Sequence, residues 1–331
     1  MLRYLIRRLM WAVVLFVAVT VVTYIIFYAI PADPARLACG QRATAECIKR
    51  AAHYLGTDRP LYVQYGKFFG RLMPFSLRGT PHLKEPSLGR SFTNRLSVNY
   101  IVGHAAPVTA SLVFGGAVFW MLIALPVGIL SALRPRSLLD RLTMVFVLIG
   151  ISAHPVWIGL LFAYFFGFKL GVFPITGYCD FFGSLGTCGG PVQWAYHLFL
   201  PWMTFAILFA AIYVRMIRAN VMEALNEDYV RTARAKGAPE WLVMRSHVLR
   251  NALLPVVTML GMDIGLALGG AIFTETVYGL PGLGKTLIQA IEGFDLPTTQ
   301  GVVVFSTLCI ITFNLMVDLL YAVIDPRIRL S

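Results

Sequence analysis

The stretch Arg215–Asn251 reads RMIRANVMEALNEDYVRTARAKGAPEWLVMRSHVLRN and forms a polar island in an apolar chain. Before it, Leu198–Val214 contains no charged residue, and after it Ala252–Met262 is apolar again. Helix-forming residues in the island are interrupted at Gly237–Pro239. Its seven basic residues are Arg215, Arg218, Arg231, Arg234, Lys236, Arg245 and Arg250. The pattern predicts a charged helical hairpin between two membrane spans, a shape suited to docking another protein.

The composition of the whole chain indicates a polytopic membrane protein. Mean hydropathy is +0.72, 58% of residues are hydrophobic and only 13% are charged, whereas about a quarter of residues are charged in an average soluble domain. The net charge of +12 is scattered among apolar runs instead of forming one face. This scatter argues against nucleic acid as a partner.

Apolar stretches long enough to cross a hydrocarbon core, which takes about 20 helical residues, recur along the chain. The six stretches are Leu9–Pro31, Ala106–Leu133, Leu142–Phe168, Leu198–Val214, Leu254–Thr276 and Leu296–Val317. The first exceeds the about 7–15 apolar residues of a cleaved signal peptide, so we expect an uncleaved anchor. The sequence therefore predicts an all-α polytopic membrane protein with six transmembrane helices.

Three regions follow from this assignment. We expect an anchor helix over residues 1–32 and an extracytoplasmic segment over 33–105, with short helices around Ala43–Tyr54 and Pro60–Leu72. The remainder, 106–331, is expected to be a five-helix core that contains the polar island.

The short loops set the expected orientation, because basic residues in short loops stay in the cytoplasm. The N-terminus, the loop Arg134–Arg141, the island and the tail with Arg327 and Arg329 all fall on one side, which we assign to the cytoplasm together with both termini. The segment 33–105 has eleven Lys and Arg residues on the other side. Long segments are translocated largely regardless of charge, so this does not reverse the assignment.

Four of the five cysteines fall on the expected outer side. Cys39 and Cys47 lie in the first outer segment, and Cys179 and Cys188 lie in the second. Disulfides are stable on this oxidising side, and each pair is close in sequence, so we expect Cys39–Cys47 and Cys179–Cys188. Sequence alone does not fix pairing, and four free thiols are the alternative.

The stretch Gly279–Thr286, GLPGLGKT, matches the spacing of a nucleotide-binding phosphate loop. That chemistry requires a strand before the loop, a helix after it and a soluble sheet domain. Here a membrane span precedes the match, and topology puts it outside the cell. We interpret the glycines as a tight turn that leads into an amphipathic helix over Lys285–Gly293.

The fifth apolar stretch contains glycines at four-residue spacing, which typically lets another helix approach closely. The helix-packing or pore candidates of this region are Gly261, Asp263, Gly265, Gly269 and Glu275. Packing within the subunit and packing across a pore or subunit interface remain open. Asp263 lies deep in the span and must face protein or water, as a structural partner or a substrate contact. Glu275 lies near the outer end, where it is either solvated or lines a pore.

No group of residues has the spacing of a catalytic or metal site. The sequence contains no C-x-x-C pair and no nucleophile–base set, and each of the six histidines is isolated. We therefore expect a protein that is not an enzyme and holds no metal or cofactor of its own.

The polar island resembles the cytoplasmic coupling loop of ABC-importer permease subunits. The resemblance rests on Glu227–Pro239 (EDYVRTARAKGAP) and Arg250–Pro255 (RNALLP), and is closest to the first permease of the dipeptide/oligopeptide, or peptide and nickel, branch. Arg231, Thr232 and Ala233 replace the Glu-Ala-Ala of the broader family, as is typical of this branch. Further matching blocks are Met1–Arg8, Leu55–Tyr65, Glu275–Gly284 and Val317–Arg327, so the resemblance covers nearly the full length.

The resemblance implies a type I ABC-importer transmembrane domain in the bacterial plasma membrane, surrounded by lipid. Its implied partners are a second, homologous permease, two cytoplasmic ATPases that bind ATP and Mg²⁺, and an extracytoplasmic peptide-binding protein. It implies half of a translocation path for peptides, opened by alternating access. The Cys39–Cys47 stretch and the Cys179–Cys188 loop are not features of the family in general.

The ATPase-coupling residues implied are Glu227, Tyr229, Arg231, Thr232, Ala233, Arg234, Ala235, Lys236, Gly237 and Ala238. We expect a helix over Glu227–Lys236 that Gly237 ends and a second helix that Pro239 starts. In this interpretation Tyr229, Thr232, Ala233 and Ala235 fill a groove in the ATPase, while Arg231, Arg234 and Lys236 fix the polar register. An amphipathic hairpin lying on anionic lipid is the alternative.

The sequence alone leaves other cargoes and other classes of membrane protein open. The cargo is a peptide, nickel or another small solute, because specificity largely resides in the binding protein. A stand-alone channel or secondary transporter usually shows more intramembrane charge or internal symmetry, and a membrane scaffold without transport is a third class. Copurification with a soluble ATPase separates the importer from both.

Overall fold

The computed structural model describes residues 2–29, 35–36, 39, 44–55, 60–73, 75–76, 82–83, 86–182 and 188–324. The helices are α1 Leu2–Tyr24, α2 Ala45–Leu55, α3 Leu61–Leu72, α4 Val98–Leu133, α5 Leu138–Ser152, α6 Pro155–Phe162, α7 Pro191–Leu225, α8 Asp228–Ala235, α9 Glu240–Leu242, α10 Leu249–Ala252, α11 Leu254–Ala267, α12 Ile272–Val277, α13 Leu283–Glu292 and α14 Leu296–Ile324. The π-helical segments Ile25–Ala29, Ala163–Lys169 and Val243–Val248 follow α1, α6 and α9. Strands β1 Phe75–Ser76 and β2 His82–Leu83 pair antiparallel, with Phe75 opposite Leu83.

Within the described residues, four helices are long and apolar enough to cross a membrane, namely α4, α7 and stretches of α1 and α14. The number rises to as many as six if each of two bent helix pairs is one span. The expected span Leu142–Phe168 is one of these pairs and is not straight: it bends by 106° between α5 and the segment that begins with α6. Pro155 starts α6 and has no N–H to continue α5, and the His154 ring accepts a hydrogen bond from the Val156 N–H at 3.3 Å.

Two other expected spans also differ from the structure. Leu254–Thr276 is not one helix, because α11 ends at Ala267 and α12 begins at Ile272. Gly270 interrupts it with φ +132°, outside the helical region. Leu198–Val214, expected to be the shortest span, is the middle of the 35-residue helix α7. The charges that bounded the expected span are tolerated because helices extend beyond the hydrocarbon core.

The chain forms two compact units, and the first contains Met1–Thr109, Leu268–Ile272 and Pro281–Leu315. One cluster of its buried core consists of Val98, Val102, Ala105, Leu283 and Val302. Buried Asp295 fixes the segment before α4, because it accepts hydrogen bonds from the Ser91 hydroxyl, the Phe92 N–H and the Thr298 hydroxyl. The unit also carries α2 and α3, close to the bounds expected for two short outer helices. In this unit Cys39 and Cys47 form a disulfide.

The second unit contains Ala110–Ala267, Phe273–Leu280 and Met316–Ser331. Helix α7 is its centre, with fourteen buried residues. Stacked and tilted rings pack around Trp120 of α4, whose centroid lies 4.7 Å from that of Phe209 and 5.7 Å from that of Tyr213. Cys179 and Cys188 form a disulfide in the loop before α7. The unit also holds the whole polar island.

Candidate functional site

Residues 215–225 of the polar island are the end of α7, so only the rest of the island folds into the expected hairpin. Its first arm is α8, Asp228–Ala235. The expected helix Glu227–Lys236 is one residue longer at each end, because Glu227 and Lys236 are the caps. The second arm runs through α9, the π-helical segment Val243–Val248 and α10. Pro239 precedes α9 as its N-cap, and its carbonyl accepts hydrogen bonds from Leu242 and Val243 at 2.9 and 3.1 Å. We call residues 226–252 the hairpin.

Gly237 forms the turn between the two arms. Its φ is +79°, and the N–H of Gly237 donates to Arg234 C=O at 2.9 Å while the N–H of Ala238 donates to Ala233 C=O at 3.2 Å. These two bonds are the Schellman helix end, which uses a left-handed residue just past the helix. Nothing lies within 4 Å of a Cβ built on Gly237. The backbone conformation, and not the lack of space, therefore requires glycine here.

The inner face of α8 consists of Val230 and Ala233, which are buried. They are three residues apart and so share one face of the helix. Helix α8 packs against the π-helical segment, in which Val243 and Val248 are buried. Ala233, expected to enter a groove of the ATPase, is buried in this chain, and its role in coupling stays a prediction. The sequence of one short helix does not reveal which partner covers each of its faces.

Arg234 joins the two arms by an ion pair. Its Nε lies 2.8 Å from Glu240 Oε1, and its second guanidinium nitrogen lies 3.2 Å from Oε2. We expected Arg234 to fix the register of another protein, but its charge is matched inside the hairpin. Both side chains are exposed, so the pair sets the geometry of the turn more than its stability.

The outer face of the hairpin presents large apolar side chains among basic ones. Tyr229 is 38% exposed and Trp241 is 64% exposed, with Leu242 beside it at 42%. The Arg245 guanidinium lies 5.1 Å from the centroid of the Trp241 ring, an arrangement that orients both groups. The remaining expected coupling residues Arg231, Thr232, Ala235 and Lys236 are also exposed. Exposed aromatic and arginine side chains are enriched where proteins bind.

Trp241 and Leu242 were missed by the sequence reasoning. Their signal was present, because an aromatic and a leucine directly follow a helix N-terminus in an otherwise polar island. The resemblance covers Glu227–Ala238, so the expected surface included only one arm of the hairpin.

Asp140 and Arg218 form a second polar feature, next to the hairpin, that the sequence analysis also missed. The Asp140 oxygens lie 2.6 and 2.9 Å from two Arg218 guanidinium nitrogens. The Ser131 hydroxyl donates to Asp140 at 2.5 Å and the Arg136 N–H donates at 2.9 Å. The carboxylate is buried and fully hydrogen-bonded, as a buried charge must be.

Two acidic candidates of the fifth apolar stretch have different surroundings. The Tyr213 hydroxyl donates to Asp263 at 2.7 Å, which gives Asp263 the structural partner that an intramembrane carboxylate requires. A role for Asp263 in lining a path stays a prediction. Glu275, for which solvation at the outer end and lining of a pore were both open, is 0% exposed and is therefore not solvated in this chain. Its neighbour Thr274 in α12 is buried as well.

Tyr278 fixes the end of that helix. Its hydroxyl lies 2.7 Å from the Thr204 hydroxyl and donates to the Gly159 carbonyl at 3.2 Å. Burial raises the pKa of Tyr278 to about 12. The Tyr278 hydroxyl is thereby hydrogen-bonded although it is buried.

The glycines at four-residue spacing in the fifth apolar stretch differ in what they contact. A Cβ on Gly261 would overlap Val317 Cγ2 of α14, so Gly261 allows close packing of two helices within the chain. Gly265 is buried and Gly269 is partly buried, and the Gly269 carbonyl accepts a hydrogen bond from the Ser306 hydroxyl at 2.9 Å. Gly261 and Gly269 therefore contact other parts of the same subunit.

The segment that matches a phosphate loop follows helix α12, not a strand. A Cβ on Gly270 would lie 2.8 Å from Gly284 Cα, and one on Gly284 would lie 2.7 Å from Ile272 Cα. Gly284 therefore permits two backbone segments to touch. The expected amphipathic helix Lys285–Gly293 begins two residues earlier, at Leu283, and ends at Glu292.

Comparison with known proteins gives two family matches that together span most of the chain. Residues 124–330 match the family of binding-protein-dependent transport system inner membrane components, and residues 1–113 match the N-terminal region of such membrane components. The probable D,D-dipeptide transport system permease protein DdpB of Escherichia coli (strain K12) is 37% identical, over 98% of this chain and 97% of that protein.

Other relatives have similar coverage. The di/tripeptide transport system permease protein DppB of Pseudomonas aeruginosa and the glutathione transport system permease protein GsiC of Escherichia coli O6:H1 are each 35% identical over 99% of both chains. Among solved structures, the inward-facing MetNI methionine ABC transporter matches with a TM-score of 0.54 and 18% identity, over 68% of this chain and 97% of that chain. This similarity concerns the fold alone, and it confirms the predicted type I importer transmembrane fold.

Proposed function

This chain belongs to the family of inner membrane components of binding-protein-dependent transport systems, as an ABC-importer permease of the peptide group, and we propose that it forms half of the path by which short peptides enter the cell. The single observation that carries the cargo class is full-length similarity to permeases named for dipeptides, di/tripeptides and glutathione. All three cargoes contain peptide bonds. The other half of the path is a second, homologous permease.

We test the cargo with the complete importer. The chain, its second permease, two ATPases and the binding protein are reconstituted in liposomes, and uptake of labelled dipeptide, glutathione and Ni²⁺ is measured with and without ATP. We expect ATP-dependent uptake of at least one of the two peptide cargoes and none of Ni²⁺. Uptake of Ni²⁺ alone would overturn the peptide assignment, and uptake by this chain without the ATPases would indicate a stand-alone transporter.

The hairpin is the proposed docking surface for an ATPase that binds ATP and Mg²⁺. Support comes from its exposed Tyr229, Trp241 and Leu242, which lie among basic side chains on a rigid, capped turn. With the hairpin in the cytoplasm, both chain termini lie there too, as the short basic loops predict. In this arrangement the chain needs no ATP site of its own.

Charge reversal at Arg234 separates two roles for this residue. Arg234→Glu places two carboxylates side by side where the ion pair with Glu240 was, so the turn opens and ATP-driven uptake falls. Because the pair is exposed, it contributes at most about 1 kcal/mol, and the loss should depend on salt. Uptake and copurified ATPase are measured in the single variant and in Arg234→Glu/Glu240→Arg.

We expect the double variant to recover uptake, since it restores an ion pair within the hairpin. A loss that the double variant does not repair would mean that Arg234 contacts the ATPase directly. Arg50→Glu is the matched control: Arg50 pairs with Glu46 at 3.1 Å on the exposed surface of α2, outside the hairpin sequence, and this variant should import normally.

A further inference from the structure

Helix α7 ends at Leu225, immediately before the hairpin, and carries Arg218 two turns earlier. Asp140 stands in the first turn of α5, and Ser131 lies in the last turn of α4. The bonds from Arg218 and Ser131 to Asp140, described above, therefore tie three helix ends to one carboxylate. Arg136, with φ +64° in the turn between α4 and α5, adds its N–H.

Glycines bring the same three helices into close contact along their length. A Cβ on Gly150 of α5 would lie 2.6 Å from Ala211 Cβ of α7. A Cβ on Gly128 of α4 would lie 2.9 Å from Ile217 Cβ, and one on Gly116 would lie 2.7 Å from the Phe205 ring. Real Cβ contacts are longer, so these positions seat α4 and α5 against the surface of α7.

We infer that Asp140 and Arg218 are positioning residues that make α4, α5 and α7 move with the hairpin as one body during transport. This inference rests on the proposed function, in which an ATPase moves the hairpin. The glycine contacts resist separation of the helices, but smooth packing alone permits one helix to slide along another. The bidentate hydrogen bonding between the Arg218 guanidinium and the Asp140 carboxylate has a fixed geometry. It prevents α7 from sliding or turning against α5.

The geometry also explains why a carboxylate is used at this place. Asp140 accepts from two guanidinium nitrogens, one hydroxyl and one backbone N–H, which together use both of its oxygens. A pair of hydrophobic residues of similar size would fill the same space and keep the helices together. It would not fix their register. The pair therefore serves transmission of movement, which a stability measurement alone does not detect.

The first test is the number of ATP molecules hydrolysed per peptide imported by the complete importer. Arg218→Lys keeps the charge and loses the bidentate hydrogen bonding. A second variant, Asp140→Leu/Arg218→Met, replaces the pair with apolar side chains and keeps the test valid if the single variant does not assemble. In both we expect normal assembly and an ATP cost per peptide raised at least about fivefold, the lower end of coupling between sites. Arg215→Lys is the control, because Arg215 is exposed on the same helix one turn away. An unchanged ratio in the apolar pair overturns the inference.

The second test measures the movement itself. Spin labels at Leu142 of α5 and Glu223 of α7, both exposed, report the distance between the two helices in the importer without nucleotide and with trapped ATP. We expect this distance to stay constant in the otherwise unchanged protein and to shift or broaden in Arg218→Lys. A shift of more than about 2 Å in the unchanged protein, the size of ordinary helix displacements, overturns the inference. An importer that imports no peptide would instead refute the cargo assignment and leave this distance readable.

Discussion

Valine in place of Gly237 is expected to abolish ATP-driven peptide uptake while the chain still inserts in the membrane. Gly237 has φ +79°, and the left-handed region costs a residue with a Cβ about 1–2 kcal/mol, with β-branched residues tolerated worst. The strain is relieved by rotating the turn, which breaks the bond from Ala238 to Ala233 and separates Arg234 from Glu240. The outer faces of the two arms then no longer form one surface for the ATPase. Uptake, ATP hydrolysis and copurified ATPase are measured together.

Two controls isolate the backbone as the cause. Gly237→Asn adds a side chain of comparable size, but asparagine adopts the left-handed region readily, so most of the uptake should remain. Gly171→Val creates similar strain at φ +62° in open space, far along the chain from the hairpin, and should import normally. Equal loss in the asparagine and valine variants would show that any side chain at 237 blocks the ATPase, contrary to the backbone explanation.

The contrast between Gly237 and Ala233 shows how far the sequence predicts the hairpin. The turn was predictable, since glycine commonly follows the last residue of a helix and a proline two residues later cannot continue that helix. The orientation of α8 was not, because the helix has eight residues and apolar side chains on more than one face. Only packing against Val243–Val248 decides that Ala233 points inward and Tyr229 outward. Local signals thus fix the turn, and tertiary contacts decide which side chains of the hairpin are exposed.

The same limit explains the missed pair Asp140 and Arg218. They are 78 residues apart, and each lies in a segment rich in basic residues that the positive-inside rule already explains. Fold class and family were predictable because they depend on many residues, and both are confirmed. The bend at Pro155 was partly predictable, but the angle was not, since a proline marks a break and not its direction.

The second large effect is expected at Gly261, where alanine should strongly reduce the thermal stability of the purified chain. A Cβ there overlaps Val317 Cγ2, and overpacking a close helix contact costs about 1–3 kcal/mol. Small residues matter more inside a membrane, where helices associate by close packing and lipid provides no hydrophobic drive. Gly103→Ala is the matched control, because Gly103 also lies within a helix and nothing is within 4 Å of its added Cβ; helix propensity alone makes this change neutral or stabilising.

Shortening the partner side chain should repair the Gly261 variant. In Gly261→Ala/Val317→Ala the new methyl group occupies the space that the valine methyl groups leave, so we expect a positive coupling of about 0.5–3 kcal/mol in a double-mutant cycle on thermal stability. Val317→Ala alone should cost less than Gly261→Ala, because it leaves a small cavity without a clash. Additive effects of the two changes would mean that α11 and α14 do not touch at Gly261. Gly261 would then be available for contact with the second permease. Labelling Gly261→Cys with a membrane-permeant thiol reagent, in the chain alone and in the assembled importer, would show whether that subunit covers position 261.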